Sequence, residues 1–230
     1  MDANKKLQKS ISKKLGKNNL FMVRHGQSIY NLENKFTGWQ DVDLTDLGIN
    51  QAKEAGKILK LIHFDCCFTS NLKRAKITLE HILYRINQQP QIFNNEALNE
   101  RDYGDLVGQN KAEAAEKFGA EQVQVWRRSF DVPPPGGESL KMTAERTLPY
   151  YKNIILPKIL EGNNVIISAH GNSIRAIVMD IFDLSPEQIL KTEIGWCEPW
   201  IMSFDDSGNI KNYQIIERIS EKSNSHLHLE

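Results

Sequence analysis

Beyond residue 19, short apolar runs alternate with stretches of helical period. Leu20-Phe21-Met22-Val23, Phe64-Asp65-Cys66-Cys67-Phe68-Thr69 and Val165-Ile166-Ile167-Ser168-Ala169 are nearly continuous in apolar residues, the pattern of strands covered on both faces. A shorter strand is expected near 91–93. Two more, near 199–204 and 210–216, flank the turn residues Asp206-Ser207-Gly208-Asn209. Between them the period lengthens. Thr45 caps an expected helix over 46–62 with Leu47, Ala52, Ala55, Leu59 and Ile62 on one face. A helix over 71–87 carries Leu72, Ala75, Leu79, Ile82 and Ile86. Further helices are expected at 109–118, ended by Gly119, at 120–130, at 139–160, at 172–182 and near 186–192. Pro149 and Pro157 should kink or shorten the long one, and Pro133-Pro134-Pro135-Gly136-Gly137 is a turn. Apolar strands separated by helices predict the α/β class. The expected fold is a single-domain three-layer α/β/α arrangement, with a mostly parallel sheet and an antiparallel edge strand.

Residues 1–19 break the pattern. They carry Lys5, Lys6, Lys9, Lys13, Lys14 and Lys17, with only Leu7, Ile11 and Leu15 at i, i+4, i+8. A flexible or loosely docked extension is expected there, with a weak amphipathic helix as the alternative, then a catalytic domain over 20–218 and a polar tail over 219–230. The 230 residues, 40% hydrophobic, fit one domain. With 29 basic and 29 acidic residues the net charge is zero, so there is no basic excess to point to nucleic acid. No run approaches the roughly 20 apolar residues of a membrane span, and no signal-peptide region opens the chain. Cys66, Cys67 and Cys197 have neither the count of a disulfide framework nor zinc-site spacing. A reducing, cytoplasmic setting is expected.

The chemistry concentrates where strands end. Arg24-His25-Gly26 follows the first strand and His170-Gly171 follows the strand at 164–169. Carboxyl ends of strands are where open α/β sheets bind ligands. An imidazole there is a candidate phosphoryl nucleophile, and an arginine beside it offers a bidentate fork for an anion. Two such turns predict two imidazoles facing one phosphate, with Gly26 letting backbone approach the ligand. Arg74 falls in the first turn of the helix after the second strand, aimed at the same rim. Glu100 and Arg101 pair a carboxylate with a cation in a loop. No compact ligand cluster implies a metal.

These residues, with their neighbours, resemble a known family. Arg24-His25-Gly26-Gln27-Ser28, Asn31, Phe36-Thr37-Gly38-Trp39, Asp41-Val42-Asp43-Leu44-Thr45, Thr69-Ser70-Asn71-Leu72-Lys73-Arg74-Ala75 and Leu98-Asn99-Glu100-Arg101-Asp102-Tyr103-Gly104 are similar to the cofactor-dependent phosphoglycerate mutases of the histidine phosphatase superfamily. Gly108-Gln109-Asn110-Lys111-Ala112, Trp126-Arg127-Arg128-Ser129-Phe130 and Ala169-His170-Gly171-Asn172-Ser173-Ile174-Arg175-Ala176 continue the likeness, over about 20–220. The resemblance implies a phosphoglycerate mutase-like fold and His25 as the nucleophile that becomes phosphohistidine. His170, Arg24 and Arg74 would hold the phosphoryl group with Asn31, and Glu100 would be the general acid/base. Ser28, Thr37, Gly38, Arg101, Tyr103, Lys111, Arg127, Arg128, Gly171 and Asn172 would bind the rest of the substrate. It further implies interconversion of 2- and 3-phosphoglycerate, with 2,3-bisphosphoglycerate as priming phosphoryl donor. Partners would be small phosphoglycerates, with no nucleic acid and no membrane; a homodimer stays open. The rivals are a phosphatase of the same superfamily acting on a bisphosphate or sugar phosphate, and a non-catalytic phospho-ligand binder. Both cationic ends favour the mutase, and an intact nucleophile argues against the binder.

The chain departs from the family in three places. Val132-Pro133-Pro134-Pro135-Gly136-Gly137-Glu138-Ser139-Leu140 lacks the insertion of longer members. Ile194-Gly195-Trp196-Cys197-Glu198-Pro199-Trp200 stands where the family has Pro-Thr-Gly-x-Pro, so the two tryptophans there are core residues or a reshaped pocket wall. The tail from Ser220 to Glu230 matches nothing in the family pattern.

Overall fold

The computed structural model describes residues 3–217 and Leu227, so the expected polar tail falls almost wholly outside the described residues. One sheet of order β3-β2-β4-β1-β5-β6 organises them. Its strands are β1 (Asn19–Arg24), β2 (Cys66–Thr69), β3 (Gln91–Asn94), β4 (Asn164–Ala169), β5 (Trp200–Phe204) and β6 (Ile210–Ile215). The first four are mutually parallel, and β5 runs antiparallel to both β1 and β6. The closing hairpin therefore supplies the expected antiparallel pairings, although the reversed strand is β5 and the outer strand β6 is realigned with β1.

Strand side chains alternate between faces, and each face has its own core. Leu20, Met22, Phe68, Val165 and Ile167 pack with α7 (Leu140–Tyr150), α8 (Leu156–Leu160) and α9 (Gly171–Ile181). Phe21, Val23, Cys67 and Ile166 pack with α3 (Asp46–Ile58) and α4 (Lys73–Ile86). Helices α1 (Ala3–Lys14), α2 (Ile29–Leu32), α5 (Lys111–Phe118), α6 (Ala120–Arg128) and α10 (Pro186–Lys191) complete the set. Helix α1 lies in the lysine-rich segment expected to be flexible or loosely docked. Its Ile11 is nonetheless 1% exposed in the second core, with Leu7 and Leu15 packed beside it.

Thr45 caps α3 as expected, its Oγ accepting from the Gly48 amide. Leu47, placed on the apolar face by its spacing, is exposed instead. The long helix expected over 139–160 divides into α7, a π turn at Tyr151–Ile155, and α8. Pro157 falls in the first turn of α8, just after the widened turn, whereas Pro149, also expected to kink or shorten the helix, lies inside regular α7.

Parallel register sets the site. Arg24 pairs with Ala169 and Thr69 with Ser168. The residues that follow, His25, His170 and Ser70, therefore leave the sheet side by side at one rim.

Candidate active site

The two imidazoles meet at this rim with ring centroids 5.0 Å apart. His25 Nδ1 lies 2.7 Å from the Gly26 carbonyl oxygen. A carbonyl only accepts, so Nδ1 carries the proton and Nε2 keeps its lone pair. Burial holds the His25 pKa well below its ordinary value, and the Arg74 and Arg24 charges push it the same way. His170 Nε2 shares a 2.7 Å hydrogen bond with Ser70 Oγ. Burial, followed by Arg74, lowers its pKa too. Both rings are therefore neutral at physiological pH, the state a nitrogen nucleophile requires.

Gly26 has a different use from the one expected. A Cβ there would meet the Gly48 carbonyl oxygen at 2.3 Å, and one on Gly48 would meet the Gln27 oxygen at 2.1 Å. Glycine at both positions lets the loop after β1 lie against the first turn of α3, fixing His25 rather than clearing room for a ligand.

Two guanidinium nitrogens and one ring nitrogen around His25 are left open. Arg74, 1% exposed, donates to the carbonyls of Gln40 (2.9 Å) and Gly38 (2.8 Å), and Arg24 donates to that of Ile194 (2.8 Å). Yet Arg24 Nε, Arg74 Nε and His170 Nδ1 are buried with no hydrogen-bond partner among the described residues. A buried donor without an acceptor costs on the order of 1–3 kcal/mol, so the two arginine N–H groups in one place suit an anion that supplies the acceptors. Burial lowers Arg74 to about 10, which leaves it charged.

Glu100 stands beside them. Its Oε1 accepts from the Arg101 amide (2.8 Å), the Asn172 amide (3.1 Å) and Asn172 Nδ2 (3.0 Å). Burial opposes its ionisation, but the Arg101 amide and the Arg24 and Arg74 charges outweigh it and hold the pKa below the usual carboxylate value. With Oε1 committed, Oε2 is the oxygen available to a proton. Arg146 fixes this loop from behind: it donates to the carbonyls of Ala97 (3.0 Å) and Glu100 (2.9 Å) and pairs with Glu138 (2.8 Å). Trp39 Nε1 also donates to the Glu100 carbonyl.

A cavity of about 220 Å³ opens from here. Arg24, Glu100, Gly171 and Asn172 line its inner part, while Asn31, Thr37, Gly38, Tyr103, Lys111, Arg127 and Arg128 line the remainder. His25, His170 and Arg74 are buried next to these wall residues. Ser28 and Arg101 stand behind the wall. Ser28, wholly buried, caps α2 by accepting from the Asn31 amide. Arg101 lies under the Tyr103 ring at 4.5 Å and donates to the Arg127 carbonyl at 3.2 Å.

Lys35, Phe36, Arg175 and Glu193 also line the cavity, and sequence reasoning assigned none of them. Arg175 had a signal: it sits one helical turn beyond Gly171, on the segment that carries His170. Ser70 had one too, as the residue after β2. The atypical segment divides its roles. Trp200 is core at 1% exposure, whereas Trp196 lies against the Arg24 guanidinium, 5.5 Å from carbon to ring centroid. Cys197 takes φ 52°, a left-handed conformation that explains a glycine in the family's pattern here.

Comparison with known proteins follows the same lines. The profile of the histidine phosphatase superfamily (branch 1) matches residues 20–214. A 2,3-bisphosphoglycerate-dependent phosphoglycerate mutase of Parvibaculum lavamentivorans is 52% identical over 205 residues, covering 87% of this chain and 98% of the relative. The protein of the same name from Nitrobacter hamburgensis is 56% identical over 185 residues, 79% of this chain and 89% of the relative. Among solved structures, a mycobacterial glucosyl-3-phosphoglycerate phosphatase has a TM-score of 0.73 at 25% identity, covering 87% of this chain and 97% of its own. The alpha-ribazole phosphatase of Shigella flexneri has a TM-score of 0.76 at 20% identity over 86% and 95% of the two chains, a likeness of fold.

Proposed function

The chain belongs to the histidine phosphatase superfamily, and on that footing we propose that it is an enzyme interconverting 2- and 3-phosphoglycerate in a 2,3-bisphosphoglycerate-dependent reaction. Relatives about half identical over most of the chain bear that activity in their names. The observation that carries the reading is a site with two groups of cations, one buried and one lining the cavity. Buried open nitrogens lie around His25, and Lys111, Arg127 and Arg128 line the cavity beside it. A phosphatase needs only the first group. An enzyme that keeps a doubly phosphorylated intermediate needs both.

Each residue then has a task. His25 Nε2 takes the phosphoryl group, in line with the leaving oxygen. Arg24, Arg74 and His170 meet the charge spreading over the equatorial oxygens, pre-set by burial so that nothing need reorganise. Glu100 Oε2 takes the proton of the attacking substrate hydroxyl and returns it to the departing oxygen. Asn31 helps hold the phosphoryl group, Thr37, Gly38 and Tyr103 flank the carbon skeleton, and Lys111, Arg127 and Arg128 receive the far anionic group. The bisphosphate, when bound, supplies the phosphoryl group that primes His25, and the open Nε–H groups of Arg24 and Arg74 fit it. Among the described residues no helix is long and apolar enough to cross a membrane. Buried thiols at Cys66, Cys67 and Cys197 fit a reducing cytoplasm.

Product analysis on 3-phosphoglycerate tests this. Formation of 2-phosphoglycerate, strongly boosted by a trace of 2,3-bisphosphoglycerate and with little inorganic phosphate, is expected. Phosphate release without isomerisation contradicts it and makes the chain a phosphatase.

A further inference from the structure

Glu193 is a carboxylate in a cavity otherwise shaped for anions. Its two oxygens hold different helices: Oε1 meets Arg128 Nη1 at the end of α6, and Oε2 meets Arg175 Nη2 on α9, each at 2.8 Å. All three side chains line the cavity. The two arginines are not held alike. Arg175, 12% exposed, also donates through Nε to the Thr192 carbonyl at 2.8 Å. Arg128 is 39% exposed and has Glu193 as its side-chain partner. Burial works against ionisation of Glu193, but Arg175 and Arg128 hold it charged.

We propose that Glu193 is a specificity-determining residue: it occupies Arg128 in the empty enzyme, yields it to the ligand's far anionic group, and stays on Arg175 as a fixed negative charge beside the ligand. The inference deepens the proposed function and rests on it. Repulsion from a fixed charge scales with the charge of what approaches, so Glu193 penalises a bisphosphate more than a monophosphate. That levels their affinities. An intermediate bound far more tightly than substrate would trap the enzyme, and tight binding shared by ground and transition states adds nothing to turnover.

The test compares wild type with Glu193→Gln, which keeps the shape and removes the charge; the side chain is 34% exposed, so glutamine fits. The half-saturating concentration of 2,3-bisphosphoglycerate should fall about tenfold and that of 3-phosphoglycerate about threefold, the scale of a part-exposed ion pair. Glu193→Asp keeps the charge and should leave the ratio of the two within about twofold of wild type. Calorimetric binding of inorganic phosphate and pyrophosphate reads the same charge ordering without turnover, so it stands even where the mutase assay fails. Equal falls for both ligands, no change, or weaker binding of both overturns the inference. Weaker binding would mean that Glu193 only props the arginines in place.

Discussion

The inner and outer ends of the cavity are built by opposite means. At the inner end, His25, His170 and Arg74 are at most 2% exposed, and they issue from adjacent strand ends or the helix start beside them. Two extensive cores, one on each face of the sheet, hold them. At the outer end, Lys111, Arg127 and Arg128 sit on α5 and α6, whose support is a small separate cluster of Phe36, Leu106, Ala114 and Val123. Their charges are long side chains, one of them parked on a carboxylate that the substrate can replace. The end proposed to make and break bonds is buried and desolvated, where pre-set dipoles count most. The end that must accept either of two anionic groups while the intermediate turns is adjustable.

Substitutions should separate the two ends by the size and kind of their effects. His25→Ala removes the proposed nucleophile and should lower kcat by roughly 10⁴-fold or more, the scale seen when nucleophiles are deleted, with no phosphoenzyme detectable by intact mass. Glu100→Gln should lower kcat by about 10²- to 10⁴-fold, the usual worth of a general acid or base, while KM stays within about threefold. A change confined to KM would move Glu100 to the binding side of the comparison.

Gly26→Ala forces a Cβ into the Gly48 backbone and should cost about 1–3 kcal/mol in denaturant unfolding, the range for overpacking, and displace His25 with it. Acid should also act on the inner end. His25 and His170 have folded pKa values well below 6.5, so the unfolded chain binds protons that the folded one refuses. Stability must therefore drop as pH falls below 6.5, by up to about 1.4 kcal/mol per pH unit for each histidine. Unfolding curves that do not move between pH 7.5 and 5.5 would contradict neutral buried rings. Smallest is the outer end: Arg128→Ala should raise KM about five- to tenfold, since the worth of a part-exposed cation is about 1 kcal/mol, and leave kcat nearly unchanged.

The same contrast governs what the sequence makes legible. Strand ends are read well, because an apolar run, its terminus and the next residue are local facts. Arg24, His25, Arg74 and His170 all lie where the runs at 20–23, 64–69 and 164–169 point. Residues whose role depends on a distant partner are not. Glu193 means nothing until α6 and α9 bring Arg128 and Arg175 to it, and Arg146 is one more helical charge until the loop at 97–100 folds over it. Gly26 shows the limit from the other side: its need for glycine is evident, but the object it approaches is the helix at Gly48, 22 positions along. Leu47 shows the limit of spacing, since a position on the apolar stripe at the first turn of a helix projects past the core it points toward.

The most direct test is a chase. Protein is incubated with 2,3-bisphosphoglycerate labelled at phosphorus, freed of ligand, mapped by peptide mass, and then given unlabelled 3-phosphoglycerate. The account predicts label on His25 and its rapid transfer to phosphoglycerate. Label on another residue, or label lost only to water as inorganic phosphate, would contradict it.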